Sequence, residues 1–196
     1  MKIDNPPGAT PLDDEALQGL IPSLTTQGEL NEFEERNIAE AIGWAMKSRK
    51  LKVELQTATG LKLLHKKMFD QTWKWAGDFR TKDLNIGVDW HRIQSELGQL
   101  LGDVRFWIDS KTFPIEEIAI RFHHKLVWIH PFLNGNGRFS RLAADLLMIY
   151  SGHQKFSWGS QSLTSASVSR DTYLKALRKV DKSSEDIEDL LKFSKS

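Results

Sequence analysis

Apolar side chains recur at three- and four-residue intervals through most of this 196-residue chain, the spacing of one face of an α-helix. Leu30, Phe33, Ile38, Ala41, Ile42 and Ala45 trace such a face from Thr26 to about Lys47, and Leu61, Leu64, Met68 and Phe69 trace another from Gly60 to about Thr72. Ile93, Leu97, Leu100, Leu101, Val104 and Ile108 predict a helix ending near Ser110, and Ile115, Ile118, Phe122, Leu126 and Ile129 predict the next. Pro131 ends that helix, because a proline lacks the amide donor and crowds the preceding turn, so His130 is expected at a helix end. Phe139, Leu142, Ala143, Leu146 and Leu147 predict a helix opened by the turn before it. A further helix is expected from Arg170, and a short amphipathic one within Ser184–Ser196 through Ile187, Leu190 and Leu191.

The remaining stretches lack that rhythm. Residues 1–24 are rich in Pro and Gly and read as an irregular surface arm with one helical turn between Asp13 and Gly19. Trp73–Arg80 reads as a compact aromatic turn whose tryptophans pack into the core. Asn85 and Gly87 favour a turn within Thr81–Val88, and the polar, Ser- and Gly-rich run His153–Ser169 reads as a loop. The fold class is all-α, a compact bundle of six to eight helices.

Composition narrows the function classes. A hydrophobic share of 40% and a charged share of 27% are those of an ordinary soluble domain. A net charge of +1 gives no general argument for nucleic-acid or membrane binding. With no cysteine there is no disulfide, thiol nucleophile or zinc–thiolate site, which fits a reducing cytoplasm. No apolar run has the length of a signal core or a membrane span. His123, His124 and His130 do not have the i, i+4 spacing of a helical metal pair, so the first two read as core or surface histidines.

One stretch concentrates chemically capable groups: His130-Pro131-Phe132-Leu133-Asn134-Gly135-Asn136-Gly137-Arg138-Phe139-Ser140-Arg141. A glycine turn at a helix N-terminus aims unpaired N–H groups outward and forms an anion site. Arg138 and Arg141, three positions apart, share a helix face and suit a polyphosphate. His130 is the side chain in this stretch able to take a proton near pH 7. These residues read as a nucleotide-phosphate site, Gly135, Asn136, Gly137, Arg138 and Arg141, with a general base beside it.

The stretch resembles the signature of the Fic family, HPFx[D/E]GNGRxxR, and departs from it at Asn134, where the family has an acidic residue. WAGDFR, Trp75–Arg80, resembles the family's WAGxFR, and Arg170–Leu177 resembles its RxxYxxAL. The resemblance spans about Gly60 to Phe193 and divides the chain into residues 1–58, an N-terminal arm and helix, and 59–196, a Fic-like core. It implies transfer of AMP from ATP to a hydroxyl side chain of a target protein. His130 would be the base, Mg²⁺ the cofactor and Asn134 the position of the metal ligand. It also implies that Thr81, Lys82, Asp83, Leu84, Asn85 and Ile86 form a small β-hairpin flap that holds the target by strand addition. Gly137 followed by Arg138 favours nucleotidyl over phosphoryl transfer, since the phosphotransfer branch reads ANK at GNG.

GATPLDDEALQGLIP, TTQGELNEFE and NIAEAIGWA resemble the opening of a Fic subfamily called mobile mystery protein B, which implies a helix-turn-helix, antitoxin-like partner. Thr25 and Glu29 match the threonine and glutamate of an inhibitory pattern, [S/T]xxxE[G/N], whose glutamate pairs with the second motif arginine, here Arg141. Thr26 and Glu29 equally fit a capping box at a helix start. A non-catalytic nucleotide sensor is the alternative function, because Asn134 removes a charge from the metal position. A DNA-binding regulator is disfavoured by the near-neutral charge.

Overall fold

The computed structural model describes residues 13–160, 168–183 and 185–196. Most of the arm, residues 1–12, and the loop residues 161–167 lie outside them. Nine α-helices run through the described residues: α1 (Asp14–Leu17), α2 (Gln27–Lys47), α3 (Arg49–Glu54), α4 (Ala58–Phe69), α5 (Ile93–Ser110), α6 (Ile115–Ile129), α7 (Asn136–Tyr150), α8 (Val168–Lys182) and α9 (Glu188–Ser194). The protein is all-α, and the described residues form no strand.

Local chemistry sets the helix ends. Thr26 and Glu29 form a complete capping box at the start of α2, each side chain accepting from the other residue's backbone N–H. Ser48 stops α2 and in the same position caps α3, its hydroxyl accepting from Leu51 N–H. Helix α3, absent from the sequence reading, is too short to show a period, although Leu51 is fully buried. At the elbow that follows, a Cβ on Gly60 would lie 1.9 Å from the Glu54 carbonyl oxygen, so the α3–α4 approach requires glycine.

Helices α6 and α7 pack together at the centre, joined by the turn that carries the motif. Phe122, Leu126 and Ile129 of α6 and Phe139, Ala143 and Leu146 of α7 are fully buried. Helix α5 flanks α6, α4 lies between α2 and α7, and α9 packs on α6 and α8. The buried stripe of α2 is Leu30, Glu34, Asn37, Ala41 and Ala45. It is rotated from the predicted face, and Ile42 is left 41% exposed. The arm is stitched to the aromatic turn through an antiparallel bridge between Leu20 and Trp73, with Trp75 Nε1 donating to Ala16 O.

The expected hairpin is not formed: residues 81–88 make an irregular loop. Backbone groups at both ends of this loop are engaged elsewhere. Val88 N–H donates to Ile129 O, while the Lys82 and Val88 carbonyls accept from the Arg80 guanidinium. No helix among the described residues is long and apolar enough to cross a membrane.

Candidate active site

The site is built where α6 hands the chain to α7. His130 is the C-cap of α6 in the left-handed conformation (φ 54°, ψ 60°), which turns the chain sharply out of the helix. Asn136 closes the turn that follows. Buried at 2% exposure, it accepts from Phe132 N–H at 3.0 Å and donates to Phe132 O at 2.8 Å. Gly135 is the N-cap of α7 at φ 77°, where a Cβ would lie 2.5 Å from the Phe69 ring. A Cβ on Gly137 would meet nothing within 4 Å, so the backbone there faces open space that an approaching ligand can use. The first turn of a helix has no carbonyl partners for its N–H groups, and α7 directs them to this face.

Three residues outside the turn hold it in place. His65 of α4 hydrogen-bonds the Asn134 carbonyl and stacks on Phe132 with ring centroids 3.7 Å apart. Arg80, 2% exposed, donates through Nε to His130 O at 2.7 Å and through its other nitrogens to Lys82 O, Val88 O and Ile129 O. One guanidinium thereby ties residues 81–88 to the histidine. Gly87 packs against the same point, since a Cβ on it would lie 2.6 Å from His130 Cβ.

His130 is buried, and its Nδ1 lies 3.2 Å from Val127 O. A carbonyl only accepts, so the proton sits on Nδ1 and the lone pair on Nε2. Burial lowers its pKa to about 4; the bond to Val127 raises it, and Arg80 lowers it again. The imidazole is therefore neutral at pH 7, the form a general base needs. An anionic ligand alongside would draw that pKa back up, because negative charge favours the imidazolium.

The two motif arginines have different surroundings. Arg138 donates to Glu34 of α2 at 2.7 Å, and its guanidinium lies 5.1 Å from the Phe69 ring centroid. Glu34 also accepts from Trp73 Nε1 at 2.7 Å. Arg141 donates through Nε to Gly137 O, and burial lowers its pKa from the ordinary arginine value. One turn further along α7, Asp145 accepts from Phe156 N–H and Trp158 Nε1, and burial raises its pKa to about 6. His123 meets the Tyr173 hydroxyl at 3.0 Å and His124 meets Asp181 at 2.9 Å, so both serve packing between helices.

The structure thus brings His130, Asn134 and Gly135 of the α6–α7 turn together with Asn136, Gly137, Arg138 and Arg141 at the start of α7, and Arg80 ties the loop that holds Thr81–Ile86 to His130. Asn134 Oδ1 is folded onto Gly135 N–H. No group of three or more His, Cys, Asp or Glu among the described residues forms a metal site. The chain's offer to a divalent ion in this turn is thus one neutral oxygen, and such an ion would have to be held chiefly by phosphates it arrives with. Glu29 is engaged at its own helix start. Its carboxylate is exposed and accepts from Thr25 and Thr26, and no described hydrogen bond or ion pair joins it to Arg141. The carboxylate that reaches a motif arginine is Glu34. The sequence reading missed it, although a glutamate at the 30–34–37–41–45 spacing of a buried stripe signals an internal partner.

Residues 56–148 match the profile of the Fic/DOC family. The chain is 37% identical over 81 residues to protein adenylyltransferase fic-1 of Caenorhabditis elegans, covering 39% of this chain and 16% of that protein. Over 80 residues it is 35% identical to protein adenylyltransferase Fic of Aedes aegypti, with the same coverage of each, 39% and 16%. It therefore spans less than a fifth of the length of these relatives. Among solved structures, the N-terminal Fic domain of a Bartonella effector protein from Bartonella sp. AR 15-3 superposes with a TM-score of 0.68 at 18% identity, covering 93% of this chain and 92% of that one. The N-terminal Fic domain of a putative cell filamentation protein from Bartonella quintana, solved with bound ADP, gives 0.64 at 20% identity, covering 88% and 86%. What the chain resembles over residues 56–148 is the Fic/DOC family, and the neighbours above share its fold.

Proposed function

We propose that this protein transfers AMP from ATP to a hydroxyl side chain of a target protein. The observation that carries the reading is a neutral His130, its proton assigned to Nδ1, at the edge of a helix N-terminus bearing Arg138 and Arg141. The target hydroxyl gives its proton to His130 Nε2 as its oxygen bonds to the α-phosphorus. The bond from that phosphorus to the oxygen bridging to the β-phosphate breaks, and pyrophosphate leaves on the opposite side. The first-turn amides of α7 and the two arginines bind the phosphates, where fixed donors stabilise developing charge better than mobile water does. Mg²⁺ bound to the phosphates would lower their charge, with Asn134 Oδ1 as the chain's contribution once it leaves Gly135 N–H. The adenylyltransferase names of the relatives and the ADP in a fold neighbour support the nucleotide.

The test is transfer of label from α-labelled ATP to protein in a cell lysate, with Mg²⁺, for the wild type and for His130→Ala. Label that depends on His130 supports the transferase. ATP binding with no transfer at any Mg²⁺ concentration supports the alternative, a nucleotide-binding regulatory protein. The observation favouring that alternative is the neutral Asn134, already turned onto its own loop.

A further inference from the structure

His65 is fully buried in α4, one helical turn before Phe69. Its Nδ1 lies 3.0 Å from the Gly77 amide nitrogen, and an amide N–H only donates, so Nδ1 is the acceptor and the proton is on Nε2. Nε2–H then donates to the Asn134 carbonyl at 3.0 Å. The imidazole thus bridges the Trp75-Ala76-Gly77 turn and the motif loop, 69 residues further along the chain. Phe132 stacks on its face with the two ring planes 13° apart, and Phe69 lies 4.8 Å from its centroid, so the ring has little room to rotate. Burial lowers its pKa to about 3, with Asn134 opposing and Arg138 adding to that shift, so the bridging form is the neutral one.

The consequence lies in the Asn134–Gly135 peptide. In a trans peptide the C=O and N–H point in opposite directions. A carbonyl drawn inward to α4 therefore turns the Gly135 N–H outward, to the face where the first turn of α7 opens; there it donates to Asn134 Oδ1, which a bound phosphate would displace. Phe69 sets the height of the same peptide, because any Cβ at Gly135 would strike its ring. We infer that His65 is a positioning residue that orients the Asn134–Gly135 peptide as a donor of the phosphate cradle, acting through the Asn134 carbonyl and touching no substrate. The inference rests on the nucleotide reading above and adds to it a residue of α4 that fixes the loop.

Three substitutions separate this role from simple core filling. His65→Gln reaches the position of Nε2 and keeps a donor for Asn134 O, while losing the acceptor for Gly77. His65→Asn reaches only as far as Nδ1, so it keeps a partner for Gly77 and loses the donor. His65→Phe keeps a ring against Phe132 and loses both. Calorimetric titration with ATP and Mg²⁺ should give Gln within about threefold of wild type, and Asn and Phe weaker by about tenfold or more, the scale of one lost hydrogen bond. The melting temperatures of Gln and Asn should fall by similar amounts, because each strands one buried group.

Equal ATP affinities for Gln and Asn, or any order other than the one expected, would overturn the inference and leave the nucleotide reading intact. A wild type that binds no ATP rejects the nucleotide reading, and this inference with it. A ¹⁵N spectrum of the wild-type imidazoles provides a check that needs no variant to fold: His65 should show the Nε2–H tautomer with a slowly exchanging proton. An Nδ1–H tautomer would sink the inference.

Discussion

The pair between Glu34 and Arg138 can be tested by removing either end. Glu34 is 5% exposed on the buried stripe of α2 and accepts two hydrogen bonds of 2.7 Å, from Arg138 and from the Trp73 indole. Glu34→Ala deletes a bond to a charged group, worth about 1.5–3 kcal/mol, and strands the Trp73 N–H at a further cost of about 1–3 kcal/mol. Part of this is recovered, because the Arg138 side chain keeps 24% exposure and water takes up some of its donors. A net loss of about 3 kcal/mol is expected. Glu34→Gln keeps the shape and a partner for Trp73 but presents no anion to Arg138, so its loss should be about 1–2 kcal/mol. Arg138→Ala should be as harmful as Glu34→Ala or more so, at about 3–5 kcal/mol, because it leaves a carboxylate in the core with no countercharge. The double variant should then lose about 1–3 kcal/mol less than the sum of the singles. Urea unfolding of the wild type and the four variants, followed by tryptophan fluorescence and circular dichroism, yields each stability. A Glu34→Ala loss below about 1 kcal/mol together with additive singles would show that the pair does not hold α2 to the motif turn.

Three other outcomes follow from the geometry. Burial lowers the pKa of His65 and His123 to about 3 and of His130 to about 4, below the unfolded value near 6.5, so folding favours their neutral forms. That stability is complete above about pH 6.5 and drains away as pH falls towards the folded pKa values, by about 1.2 kcal/mol per histidine between pH 7 and 5.5. A urea midpoint unchanged over that interval would contradict it. Glu29→Ala removes half of the capping box and should lower the urea midpoint slightly with label transfer unchanged; increased transfer would instead place Glu29 in the inhibition that its sequence pattern implies. Asn134→Asp should lower the Mg²⁺ concentration for half-maximal transfer, since an anionic oxygen adds Coulomb attraction where the chain now offers a neutral one; an unchanged Mg²⁺ titration would remove Asn134 from the metal's surroundings.

Much of the architecture was legible because it depends on neighbours in the chain. Helical spacing located α2, α4, α5, α6 and α7, Pro131 marked the end of α6, and Thr26 with Glu29 marked the start of α2. The cluster from His130 to Arg141 could be read for the same reason: one turn and one helix face hold all its groups. The hairpin expected at Thr81–Ile86 is not formed: the neighbouring Arg80 takes the Lys82 carbonyl, and just beyond the segment Val88 N–H meets Ile129 O across the fold. Which carboxylate meets a motif arginine was equally beyond the sequence. Glu29 matched a pattern, but its local cap satisfies it, while Glu34 lies 104 residues from Arg138 and meets it only because α2 packs on α4 beside α7. The imidazole tautomer of His65 depends on distant backbone groups that packing brings opposite its nitrogens, whereas that of His130 is set by Val127 O in the last turn of its own helix. Short-range periodicity and capping determined the helices and the motif turn, while packing across the fold decided the partner of Arg138, the proton position on His65 and part of the shape of the loop beside them.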